Sequence, residues 1–175
     1  MNRILTLAAL ALAGSATAQL PPPPAPPEAK TQAQPFLTAA GMSDVYEITS
    51  SQIALQKSQN PALKRYATEL IGHHTMTTNT ALKAAKAGGV SPPPPVLNAQ
   101  FRALISELQG AGPADFDRLY IGQQIPAHQG ALDLQTAFSQ DGDVAPLRTA
   151  AKGALPIIRK HLAEAQAMQK GMARM

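Results

Sequence analysis

The sequence predicts an all-α fold: an antiparallel four-helix bundle with a long proline-containing crossover between the second and third helices. Three observations carry this expectation. Apolar residues recur in alternating three- and four-residue steps over four long segments. Period-two alternation of useful length is absent, and β-branched residues are sparse. Proline and glycine punctuate the chain so that it divides into two helical hairpins.

Arg3 precedes an apolar run from Ile4 to Ala13, followed by Ala16-Thr17-Ala18, the layout of a secretory signal peptide over residues 1–18. Cleavage near Ala18-Gln19 is expected, which leaves 157 of the 175 residues, the size of one domain. Residues 19–34 hold a nearly continuous proline tract from Pro21 to Pro27 and read as a flexible, extended arm. The bundle domain is expected over residues 35–172.

The first helix is expected over residues 36–58, with Val45, Ile48 and Leu55 on one face. Asn60-Pro61 ends it and opens the second helix, because asparagine caps well and proline at the first helical position loses no bond. That helix runs over residues 61–87 and stops at Gly88, with an inward stripe of Leu63, Ala67, Leu70, His74, Thr77, Ala81 and Ala84. The tract Pro92 to Pro95 cannot continue it. A short helix is expected over 97–108 in the crossover. The third helix covers 113–138, with Tyr120, Gln124, His128, Leu134 and Phe138 inward, and the fourth covers 144–172, with Leu147, Ala151, Ile158, His161 and Ala165 inward. Pro126 and Pro156 are expected to bend these two rods.

Composition closes several function classes. The chain has no cysteine, so disulfides, thiolate metal sites, cysteine nucleophiles and a lipoprotein anchor are all excluded. Its net charge of +4, or +3 without Arg3, is spread among acids, and there are three Tyr, four Phe and no Trp; this is not the pattern of a nucleic-acid binder. No segment is long and apolar enough to predict a membrane span. The leader predicts a periplasmic or secreted protein.

The informative residues are histidines. Of four in the chain, His74, His128 and His161 fall on the inward stripes of three different helices. Bundles build metal sites from side chains that project inward from facing helices, and imidazole is a common ligand. Glu47 and His74 lie at similar depth on either side of the turn at Asn60, so Glu47 joins the candidate set. Around a turn at Asp141, His128 and His161 are staggered by about 10 Å at 1.5 Å per residue. The competing reading makes each histidine a core residue satisfied by neighbours such as Tyr120 or Gln124. Glu69 and His73, four apart beside the stripe, read as a solvated pair. Met42, Met76, Met168 and Met172 read as gap fillers before copper ligands. No strained nucleophile turn supports a hydrolase triad.

Four stretches carry a family resemblance: FLTAAGMSDVYEI with Glu47, NPALKRYATELIGHHTMTTNTALKAAKAGG with His74, DFDRLYIGQQIPAHQGALDL with Asp117, Tyr120 and His128, and LPIIRKHLAEAQ with Pro156 and His161. Over residues 36–168 the chain resembles the exported bacterial family catalogued as domain of unknown function 4142. The resemblance implies a ferritin-like fold and leaves biochemical activity open. The segment QQIPAHQGALDL is also similar to the His-His-Gln-Gly-Ala signature of domain of unknown function 305, with Ala127 in place of its first histidine. Where the 4142 pattern has Asp-His on the second helix, this chain has His73-His74. No histidine has Glu three residues before it, so the Glu-x-x-His pattern of di-iron ferritins is missing.

Two functional expectations follow. One is a non-enzymatic exported bundle that binds a transition metal (copper, zinc, iron or manganese) or a small ligand through His74, His128 and His161 with Glu47. The other is an envelope interaction or stress protein with structural histidines, an envelope protein partner and the arm as tether. A metal-dependent redox enzyme ranks below both, because carboxylates are scarce.

Overall fold

A computed structural model describes residues 21–92 and 94–174. The predicted signal peptide and its cleavage site lie outside the described residues. The described chain is all-helical, with α1 (Ala33–Lys57), α2 (Pro61–Ala87), α3 (Ala99–Gly110), α4 (Pro113–Asp141) and α5 (Ala145–Met172). The four long helices are the expected ones, and the crossover helix is α3.

Local chemistry sets the boundaries. α1 begins three residues before the expected start, because Pro35 falls in its first turn, where a missing N–H leaves no bond unmade. The Asn60 side chain accepts from the amides of Ala62 (2.9 Å) and Leu63 (3.4 Å), with Pro61 at the first helical position. Gly89, at φ 70°, completes the stop begun at Gly88: its amide bonds to Lys86 O at 3.2 Å and that of Val90 to Ala85 O at 2.9 Å. This is a Schellman closure, and it needs a residue free to adopt a left-handed backbone. α4 and α5 continue as helices through Pro126 and Pro156.

Named contacts fix how the long helices neighbour one another. Along α1, Phe36, Tyr46 and Ser51 meet Phe138, Gln123 and Tyr120 of α4, so the residue numbers run in opposite senses. Asp44 of α1 meets His74 and Thr78 of α2. α2 meets α5 through His73 and His161, and α4 meets α5 through His128 and His161. α3 buries Phe101, Leu104, Ile105 and Leu108 over α1 and α4.

The proline-rich arm enters the fold at its C-terminal end. Pro27–Lys30 forms a 3-10 turn against α1 and α4, Ala29 is fully buried, and the Asp143 amide bonds to Thr31 O at 2.9 Å. The turn packs because alanine, unlike the prolines before it, presents a small apolar side chain that fits between two helices.

Apolar burial divides into two clusters. One contains Tyr46, Ile53, Leu63, Leu70, Leu104, Phe116, Tyr120 and Ala165. The other contains Phe36, Leu37, Leu134, Phe138, Leu147 and Ala151, with Phe36 and Phe138 stacked at 3.8 Å. On each long helix, residues of one cluster give way to residues of the other near the histidines. A polar layer therefore lies between two hydrophobic cores.

Candidate metal centre

Into this layer α1 sends Asp44 and Glu47, α2 sends His74, α4 sends His128 and α5 sends His161. All three of these histidines are buried, and their ring centroids stand 5.3 to 5.7 Å apart. One ring nitrogen from each lies within 4.8 Å of the others. The three predicted imidazoles thus share one level of the interior.

The 10 Å stagger expected between His128 and His161 is not found: His128 Nε2 and His161 Nδ1 are 3.3 Å apart. Two effects close the gap. The turn centres on Gly142–Val144, later than Asp141, which shortens the mismatch to about three residues, or roughly 4.5 Å. Side chains also lean toward the N-terminus of their own helix, so His161 reaches back toward the turn while His128 leans away from it.

The outer nitrogens are held by acceptors, which fixes where the protons sit. His74 Nδ1–H donates to the Asp44 carboxylate at 2.8 Å, and that carboxylate also accepts from Thr78 Oγ1 at 2.6 Å. His128 Nδ1–H donates to Gln124 O at 2.9 Å. A carboxylate and a carbonyl can only accept, so in the neutral form of each ring Nε2 carries the lone pair. His74 Nε2 is buried with no hydrogen-bond partner. An imidazole whose far nitrogen is tethered to a carboxylate or carbonyl is the arrangement that orients histidine toward a metal.

Glu47 stands beside this group rather than within it. Its side chain is buried, neither carboxylate oxygen has a hydrogen-bond partner, and Oε1 lies 3.9 Å from His128 Nδ1. Around it Tyr46 donates to Gln123 Oε1 at 2.8 Å, Ser51 and Tyr120 hydroxyls pair at 2.8 Å, and Gln124 Nε2 donates to Ser50 Oγ at 3.2 Å. The buried atoms left without a partner include both Glu47 oxygens, His74 Nε2 and Gln124 Oε1.

Burial dominates the electrostatics. It pushes the Glu47 carboxyl up to about 8; His74 opposes the rise, Asp44 adds to it, and the nearby Gln124 amide also opposes it. Burial, then the neighbouring His74, pushes His128 down to about 3. His161 is pushed to about 2 by burial, then by His128, His74, His73 and Lys160. For His74 burial pulls downward, but the bond and charge of Asp44, with Glu47, outweigh it and the net direction is up. At neutral pH His128 and His161 are therefore neutral, the form that binds metals.

Two participants escaped the sequence reading. His73, expected to form a solvated pair with Glu69, instead places Nδ1 2.8 Å from His161 Nε2, with Glu69 Oε1 3.6 Å away. It faces α5 because α5 packs beside α2 on that flank. Asp44, the carboxylate that holds His74, was legible from its distance to the Asn60 turn, which nearly matches that of His74. Of the methionines weighed as ligands, Met42, Met168 and Met172 pack against an apolar cluster and Met76 is exposed.

No described helix is long and apolar enough to cross a membrane. Comparison with curated proteins and with solved structures finds no match. The model of one family matches residues 18–168, nearly the whole described chain, and the protein therefore belongs to the family described as Domain of unknown function (DUF4142).

Proposed function

We propose that this protein is a metal-binding helical bundle that holds one transition-metal ion on His74 Nε2, His128 Nε2 and His161 Nδ1, with Glu47 as the buried charge that balances it. The observation that carries this reading is that His74 Nε2 is buried and unpartnered on a ring that converges with those of His128 and His161, near a carboxylate that is also unpartnered. Buried polar atoms are almost always paired, so two such groups side by side need a partner. Nitrogen ligands about 2.0–2.1 Å from a tetrahedral ion stand about 3.3 Å apart. The separation of His128 Nε2 and His161 Nδ1 is already 3.3 Å. An all-imidazole donor set favours zinc or copper over manganese.

In the rival reading the imidazoles only bond one another and the useful surface faces an envelope partner. It accounts for the His73–His161 and His128–His161 contacts. It gives no reason for the orphaned nitrogen and carboxylate. The leader over residues 1–18 supports action outside the cytoplasm; N-terminal sequencing of the protein from a cell fraction should find Gln19 first.

Metal titration of the chelator-stripped protein tests the main reading. At a free metal concentration 100-fold above Kd, binding to the native state adds about 2.7 kcal/mol, a rise of roughly 5–11 °C in Tm. His128→Gln should abolish the rise. Failure of zinc, copper, iron and manganese alike to bind the wild-type protein would end this proposal.

A further inference from the structure

Outside the buried triad lies a second group: Glu69, His73 and His161 each bring one ligand atom within 4.8 Å of the others, and His73 Nδ1 lies 2.8 Å from His161 Nε2 and 3.6 Å from Glu69 Oε1. The side chains of His73 and Glu69 are 33% and 31% exposed, so this group opens toward solvent where the inner one does not. Its third member is the inner group's own His161, used from the opposite side of the ring. His161 Nδ1 faces His128 at 3.3 Å, and His161 Nε2 faces His73 at 2.8 Å.

We infer that the protein binds two metal ions, the second on Glu69, His73 and His161, with the His161 ring bridging the inner and outer ions through its two nitrogens. The inference rests on the inner site proposed above and extends it. With the first ion on Nδ1, the single remaining ring proton of His161 sits on Nε2 and is donated to His73 Nδ1. The second ion takes up both of those nitrogens, and the proton leaves to solvent. The ring then carries one negative charge shared between two cations, and Glu69 supplies the outer carboxylate.

The dimensions suit this. The 3.6 Å between His73 Nδ1 and Glu69 Oε1 is close to the ligand spacing of about 3.3 Å for a tetrahedral ion. The 2.8 Å between His73 and His161 must open by about half an ångström, which the partly exposed His73 side chain can do. Lys160 stands in competition, since its ammonium contacts Glu69. Glu164, 3.5 Å from the same ammonium, offers it an alternative partner when a metal displaces it. Imidazole and carboxylate together suit zinc or copper(II).

Copper(II) is the probe, because it can be counted and its spin observed. The stripped, signal-free chain should take two copper ions, and His73→Gln and Glu69→Gln should each take one. Lys160→Gln should keep two and bind the second at least several-fold more tightly. A paramagnetic resonance titration of the wild type should show the signal fall below that of two isolated ions at the second equivalent, while His73→Gln keeps an isolated signal. A wild-type chain that takes one ion, lost in His128→Gln and unaffected by His73→Gln, overturns the second site and leaves the first standing. A chain that takes none overturns both. Because His73 and Glu69 are partly exposed and independent, a variant that fails to melt cooperatively is replaced by the other.

Discussion

Glu47→Gln should make the metal-free protein more stable, by an amount that depends on pH in a defined sense. The Glu47 side chain is buried at 1% exposure with both oxygens unpaired, and burial lifts its carboxyl from an ordinary 4.5 to about 8. At pH 7 the folded chain keeps a proton that the unfolded chain gives up, over the 2.5 pH units that separate 4.5 from 7. At about 1.4 kcal/mol per unit, this costs about 3 kcal/mol of folding stability. Glutamine has the same shape and no charge to lose, so most of that cost disappears in the variant, equivalent to a Tm gain of roughly 6–12 °C. The sign follows from proton binding. Between pH 4.5 and 8 Glu47 is more protonated in the native state than in the unfolded state, so its contribution to wild-type stability falls as pH rises through this window. The two proteins should therefore melt together at pH 4.5 and separate progressively toward pH 8. With zinc or copper present the order should reverse, because the ionised carboxylate then faces a cation; affinity in the variant should drop by about tenfold or more. Calorimetric melts at pH 4.5, 7 and 8, with and without metal, check both halves. An equal offset at all three pH values, or a destabilised variant throughout, would show that Glu47 is not the unpaired buried carboxyl described above.

Two further outcomes test the fold and the imidazole layer. Gly142→Ala should cost about 1–3 kcal/mol in urea unfolding, because a Cβ there meets ring carbons of Phe138 at 2.5 to 2.7 Å, and that ring is fully buried against Phe36; φ at Gly142 is −63°, so the penalty is steric. A variant as stable as wild type would contradict the packing of this turn. The metal-free protein should also lose stability as pH falls from 4.5 toward 3: His128 stays neutral when folded and takes a proton when unfolded, so its contribution is complete above 6.5 and is lost toward about 3, while between 6.5 and 4.5 the opposite contribution of Glu47 offsets it. His74, whose shift is upward, takes up its proton in the folded state above 6.5 and leaves the slope below 6.5 unchanged. His128→Gln should flatten the acid limb of a Tm–pH curve, and an unchanged limb would remove His128 as its origin.

Helices were legible in the sequence wherever a residue has one strong backbone consequence. Asn60-Pro61 and the glycines at 88 and 89 mark ends that the hydrogen bonds reproduce within a residue or two. Inward direction was legible as well, since His74, His128 and His161 follow the period that also places Leu70, Tyr120 and Ile158 in the core. The flanks were harder to read. His73 points one step around the helix from His74, and periodicity does not say whether α1 or α5 covers that side; the handedness of the packing decides it. Depth arithmetic failed between His128 and His161 because it treated side chains as perpendicular to their helices. Proline content alone also suggested a loose arm, whereas Ala29 and Ala33 within it are core residues.

The polar layer between two apolar clusters has a consequence for helix alignment. Leucines and alanines along a seam are nearly interchangeable, so a helix rich in them can slide by a turn and find comparable company. Here a slip of α5 by one turn, about 5.4 Å, would carry His161 away from His73 and His128 and into the neighbourhood of leucine or alanine. An imidazole stripped of both partners in that setting costs several times the thermal energy. The cross-section of imidazoles and carboxylates therefore acts as a key that admits one vertical setting of the four rods.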